Sequence, residues 1–262
     1  IMRDLRSPGT ESIRASTSAM ATNAGSAPPS YASALTEATR LHAEGILGEG
    51  VTVAVLDTGY RSSVNMNNFR KTPRVKAQYD AISNLTLTPP FTNDENGHGT
   101  HVSSLIIAPM KDALGKYLGI APGVDFVSVK AFNAYGVSNY TTVIRGIEWI
   151  LQNRVRYNIR ILNCSFSALA VSHYWDDPLN QAIMKAWQAG IVVVVSAGNA
   201  GPKPMTIGVP GNVPYVVTVG AMTDSYTTGS ASDDKLASFS SAGPTVEGLV
   251  KPDVVAPGGH AV

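Results

Sequence analysis

The sequence predicts an α/β fold, a doubly wound and mostly parallel sheet with helices on both faces. Three observations point to it. Short apolar runs rich in β-branched residues recur along the chain, as in strands buried on both sides. Segments of helical period stand between them, and such alternation implies right-handed crossovers. The length, 262 residues, suffices for one large α/β domain with a substantial core.

The elements follow in order. Residues 1–34 are rich in Ser, Ala, Thr, Gly and Pro (NAGSAPPSYAS) and show no sustained period, so they read as a linker or pro-segment remnant of low order. The folded domain spans 35–262. LTEATRLHAEG suits a short helix stopped by Gly45, and GVTVAVLD a buried strand. VDFVSVKAF, IRILNCSF, IVVVVSAG and YVVTVGA are four further strands. The helical segments are HVSSLII, SNYTTVIRGIEWILQN and DDPLNQAIMKAWQAG. Val143, Ile147, Ile150 and Leu151 share one face of the second, while the third starts at Asp177-Pro178 and stops at Gly190. In such sheets ligands sit beyond the carboxyl ends of the strands. That rule singles out Asp57, Ser165 and Asn199.

Composition narrows the function. Lys and Arg number 20 against 19 Asp and Glu, a net charge of +1 without a basic cluster, so neither nucleic acid nor an anionic membrane is the expected partner. The longest unbroken apolar run, IVVVV, is too short for a membrane span. The single cysteine, Cys164, lies in an apolar run; it excludes an intrachain disulfide framework and reads as a core residue rather than a nucleophile. The chain opens on Ile without a signal-like apolar stretch, and reads as a processed product or a fragment.

Asp57 closes an apolar strand before Thr58-Gly59, where backbone N–H groups could hold a carboxylate ionised; a turn-forming Asp before Gly explains the same residues equally well. In NGHGTHV, Gly97 and Gly99 leave space around His98 at a helix start. That imidazole suits a general base, although His98 and His101 together also fit a core pair or a metal site. With no HExxH and no cysteine beside them, zinc is disfavoured, and His101 reads as structural. His42, His173 and His260 lack such a setting and read as surface or packing residues. SAGN, Ser196 to Asn199, is either a plain turn or a side-chain oxyanion donor.

Taken together and in order, VAVLDTG, NGHGTHV, VVSAGN and KPDVVAPG resemble the subtilisin-like serine proteases over roughly residues 45–262. The resemblance implies a catalytic domain in which Asp57 orients the histidine, His98 is general base and then general acid, and Asn199 donates to the oxyanion. It further implies that an extended polypeptide lies between Gly136-Val137 on one side and Ser165, Phe166 and Ser167 on the other, added as a strand. Ala197 and Gly198 would wall a pocket for a large side chain, which Ser167, in place of the family's glycine, narrows. Polypeptide substrates and the enzyme's own pro-segment are the implied partners, and the implied location is extracellular. Ser103 and Ser104 replace the family's Ala-Gly, adding atoms where a helix packs closely. APMKDALGKYLGIAP lacks the Asn-rich loop that often holds calcium in relatives, so no cofactor is expected and a structural calcium, left open by the resemblance, is assigned no site.

In the family, KPDVVAPG leads to Gly-Thr-Ser-x-Ala, whose serine is the nucleophile. Here the sequence given stops at Val262, and the expectation is an enzyme truncated before its nucleophile helix, nearly inactive by itself. STSAMAT, Ser16 to Thr22, resembles the missing motif but lacks the apolar helix that should follow. Two readings from other classes compete: a peptide-binding pseudoprotease, disfavoured by an intact Asp57 and His98, and a nucleotide-binding domain, disfavoured because no GxGxxG or GxxxxGK[ST] follows a strand.

Overall fold

The computed structural model describes residues 13–15, 31–223 and 232–259. STSAMAT and His260 lie outside the described residues. The chain begins with β1 (Ile13–Ala15), α1 (Tyr31–Leu35), α2 (Ala38–Ala43) and β2 (Thr52–Asp57). A short helix α3 (Val64–Asn67) leads into the small hairpin β3 (Asn68–Phe69) and β4 (Thr72–Pro73), then β5 (Val75–Asp80) and β6 (Leu85–Leu87). Next come α4 (His98–Ile107), β7 (Asp125–Lys130), β8 (Val137–Ser138) and α5 (Tyr140–Asn153). The remainder is β9 (Ile159–Cys164), β10 (Phe166–Ser167), α6 (Pro178–Gln188), β11 (Val192–Ser196), β12 (Val217–Thr223), β13 (Lys235–Leu236) and β14 (Val254–Pro257).

The main sheet has nine strands in the order β13-β12-β11-β9-β2-β7-β5-β6, with β14 also paired to β12. Pairing is parallel from β5 across to β14, and only β6 and β13 run antiparallel. This is the expected doubly wound architecture. β2 stands where strand order reverses, between β7 and β9, and a crevice forms beyond the carboxyl ends at such a switch point. Asp57 is the last residue of β2.

Alternation along β2 divides the core. Ala54 and Leu56 face a cluster with Ile147 and Ile150 of α5 and Leu179 and Ile183 of α6. Val53 and Val55 face the other way, against Ile107 of α4 and Phe126 of β7. Each fully buried aliphatic side chain contributes roughly 1.5–3 kcal/mol, so the helices are fixed on both faces chiefly by this burial. Their starts are set locally. Asn139 accepts from the Thr142 N–H at the start of α5, and Asp177 from the Leu179 and Asn180 N–H groups before Pro178 of α6, caps worth about 1 kcal/mol each.

Within the stretch read as a linker, two elements stand. α1 starts at Tyr31, ahead of the expected domain boundary. Ile13–Ala15 is a strand held antiparallel between β10 and β8, and Ile13 is fully buried in the larger core cluster. Its local sequence has no strand signal; two open strand edges recruit it.

Candidate active site

At the carboxyl end of β2 the Asp57 side chain is 1% exposed. Its Oδ1 accepts the Thr58 N–H at 2.7 Å and faces His98 Nδ1 at 2.7 Å. A carboxylate on Nδ1 fixes the tautomer and presents Nε2 as the proton acceptor. His98 is the first residue of α4, after Gly97 with φ 101°, and its ring is 12% exposed. The pair is thus enclosed but reachable from the crevice.

Close backbone contact makes this possible. A Cβ on Gly99 would collide with the Gly59 carbonyl and lie 2.9 Å from the Gly59 nitrogen. Only a glycine lets the first turn of α4 lie against the turn that follows Asp57. Gly99 thereby acquires a specific reason, which the sequence alone left as free space, whereas Gly97 serves through its positive φ.

Polar residues that sequence reasoning missed surround the pair. Thr58 Oγ1 donates to Asp94 Oδ1 at 2.9 Å and accepts the Gly99 N–H at 2.8 Å. Lys130 pairs with Asp57 in register on β7, and its buried ammonium donates to the Thr58 carbonyl at 2.7 Å and to Glu95 at 2.6 Å. That bond from Lys130 holds the Glu95 carboxyl below its ordinary value. A lysine closing an apolar strand and an Asp four positions before His98 were the available signals.

His101, one turn along α4, is half-buried, and burial, with the neighbouring His98, lowers its pKa. Nothing joins it to Asp57 beyond a weaker opposing attraction. Ser103 donates to the Gly99 carbonyl at 2.7 Å and Ser104 to the His101 carbonyl at 2.7 Å. Both hydroxyls therefore bond back onto their own helix, which satisfies the added polar atoms. Cys164 is fully buried in the core, and burial pushes its thiol up, away from thiolate chemistry.

Asn199 follows β11, one strand beyond β9, on the same edge of the sheet as Asp57. Ser165 follows β9. Between them, Ala197 and Gly198 are buried, and a Cβ on Gly198, at φ 104°, would lie 3.2 Å from Ser167 Oγ and 2.9 Å from Ser241 Oγ. Ser167 therefore faces Gly198. Gly136 turns into β8 at φ 70°, and Val137 opens that strand. Phe166 is different from its expected role in one respect: its ring is 0% exposed and packs against Phe132 at 5.0 Å. Its main chain pairs with Ala15.

β1 occupies the space between these two edges. Arg14 pairs with Ser167 and Val137, Ala15 with Phe166, and Ile13 with Ser138. An extended segment is thus held by main chain on both sides, and the Ile13 side chain is fully buried.

An Asp-His contact thus stands at the switch point of a mostly parallel sheet, and comparison with known proteins identifies the family. The model of the subtilase family matches residues 48–262, and the chain belongs to that family. The serine protease AprX of Bacillus subtilis is 40% identical over 222 residues, 81% of this chain and 47% of that protein. Subtilisin DY of Bacillus licheniformis is 33% identical over 87% of this chain and 72% of its own length. Among solved structures, a cold adapted subtilisin-like serine proteinase superposes with a TM-score of 0.59 at 29% identity, covering 81% of this chain and 64% of that one. The chain spans about half the length of AprX.

Proposed function

We propose that this chain is part of a serine endopeptidase that hydrolyses peptide bonds of extended polypeptides through an acyl-enzyme. The observation that carries the proposal is the 2.7 Å contact of His98 Nδ1 with Asp57 Oδ1. In this reading His98 Nε2 takes the proton of a seryl hydroxyl as it attacks the scissile carbonyl, then returns it to the leaving amine. Asp57 stabilises the imidazolium formed in between, and Asn199 donates to the oxyanion. The reaction assigned here uses side chains alone. The serine is proposed to come from sequence following Val262, so residues 1–262 by themselves turn over substrate only at a residual level.

The substrate lies where β1 lies, as an antiparallel strand between β8 and β10. Main-chain pairing supplies most of the affinity and tolerates varied sequences, while Gly136, Val137, Ser165, Phe166 and Ser167 provide the edges. Ala197 and Gly198 wall the adjoining pocket. In this reading residues 13–15 belong to a pro-segment that competes with substrate in the same chain, and the enzyme acts outside the cell. Among the described residues no helix is long and apolar enough to cross a membrane.

The test is direct. The coding frame is sequenced beyond Val262, and the enzyme it encodes is assayed on an unfolded protein with and without a serine-directed covalent inhibitor. The expected result is a Gly-Thr-Ser-x-Ala segment and hydrolysis that the inhibitor abolishes. A frame without a nucleophile, or hydrolysis that persists when His98 is replaced by Ala, overturns the proposal.

A further inference from the structure

Asp94 takes no part in the chemistry above, yet its carboxylate is bonded to residues that adjoin both members of the proposed catalytic pair. Its residue is 3% exposed. Oδ1 accepts the Gly97 N–H at 2.8 Å and the Thr58 hydroxyl at 2.9 Å. Oδ2 accepts the Thr100 N–H at 2.9 Å and the Thr100 hydroxyl at 2.6 Å. Gly97 and Thr100 bracket His98 on the first turn of α4, whereas Thr58 follows Asp57 directly. Thr58 passes the connection on at both ends: its N–H donates to Asp57 Oδ1 at 2.7 Å, and its hydroxyl accepts the Gly99 N–H at 2.8 Å.

The chemistry requires a carboxylate at this position. Donors reach both oxygens, so both must accept, and an amide has one acceptor and presents N–H groups on the other side. Burial pushes the Asp94 carboxyl up, but the bonds from Thr100, Gly97 and Thr58 outweigh it and leave the group below its ordinary value. It is therefore ionised throughout the working range of a histidine base. Hydrogen bonds to a charged acceptor are the stronger kind, which suits a clamp rather than an incidental contact.

We propose that Asp94 is a positioning residue that fixes the Asp57–His98 hydrogen bond by clamping Thr58 to the first turn of α4. Asp57 and His98 come from separate elements, 41 positions apart, and the Asp94 carboxylate ties the turn after one to the helix start carrying the other. The proposal rests on the reading of these two residues as the catalytic pair. Displacement of a reacting group by about 1 Å costs on the order of 100-fold in rate, so a loosened clamp should appear in turnover rather than in substrate binding.

The experiment compares Asp94→Asn, Thr58→Val and the double variant in the full-length enzyme, with active sites counted by a covalent serine-directed titrant. His98→Ala is the control. Expected for Asp94→Asn is a fall in kcat of about 10- to 100-fold per titrated site with KM within about twofold. The low-field proton resonance of His98 Nδ1 should shift or broaden. Thr58→Val should lose a similar factor, and the double variant little more than either, because the two residues act as one unit. If Asp94→Asn does not fold, Thr58→Val with the resonance still decides the matter. A titrated variant with unchanged kcat and an unmoved resonance overturns the clamp, as do fully additive losses. A fully active His98→Ala would instead remove the reading of the catalytic pair, and the clamp with it.

Discussion

In the proposed site the carboxyl end of β2 contributes side chains, whereas β8 and β10 contribute main chain. The Asp57 carboxylate, the His98 ring and the Thr58 hydroxyl each have specific partners within 2.7–2.9 Å. At β10, by contrast, Phe166 turns a fully buried ring into the core and leaves its backbone to pair with Ala15. Proton transfer depends on the identity of a side chain and its position to fractions of an ångström. Strand addition depends on N–H and C=O groups that every residue but proline supplies. One region should therefore be intolerant of substitution, and the other should respond mainly to changes in shape.

The comparison can be broken by measuring both regions in the full-length enzyme. The largest effect is expected at the side-chain edge: His98→Ala or Asp57→Asn should lower kcat by about 10⁴-fold or more with little change in KM, read by steady-state hydrolysis of a chromogenic peptide. A loss below tenfold would break the contrast. Asn199→Ala should come next, lowering kcat by about 10²- to 10³-fold, and a change confined to KM would show that its amide does not meet the oxyanion. At the main-chain edge, Ser167→Gly removes the hydroxyl that faces Gly198. It should raise kcat/KM for large apolar side chains relative to small ones by about tenfold, measured on a matched pair of peptides. The smallest effect belongs to the cleft's occupant. Ile13→Asp puts a charge at a fully buried position, which should expel β1 and lower the apparent KM by about threefold as the competent fraction rises. A rise in KM instead would mean that β1 supports the cleft rather than filling it.

The central strand TVAVLD was legible because burial at every position demands an apolar run, and VVVVS, exposed at Val192, because its valines are β-branched. The long helices were legible from period and, for α6, from its start at Asp177-Pro178 and its stop at Gly190, whereas the Asn139 cap of α5 was not read. β5 escaped because VKAQYD carries Lys76, Gln78 and Asp80. Gln78 is buried only because its amide exchanges hydrogen bonds with the main chain of Phe91, a partner outside the strand. β1 escaped because nothing local makes it a strand.

The sequence by itself determined the strand-helix alternation, the carboxylate and imidazole at element ends, and the glycines beside them, since these follow from composition at neighbouring positions. The tertiary structure alone decided that Asp57 and His98 meet, that Asp94 and Lys130 converge on Thr58, and that Ile13 enters the core. Each of these is a contact between residues distant in the chain. Their energies depend on burial and on partner geometry, which exist only once the sheet has brought its strand ends together.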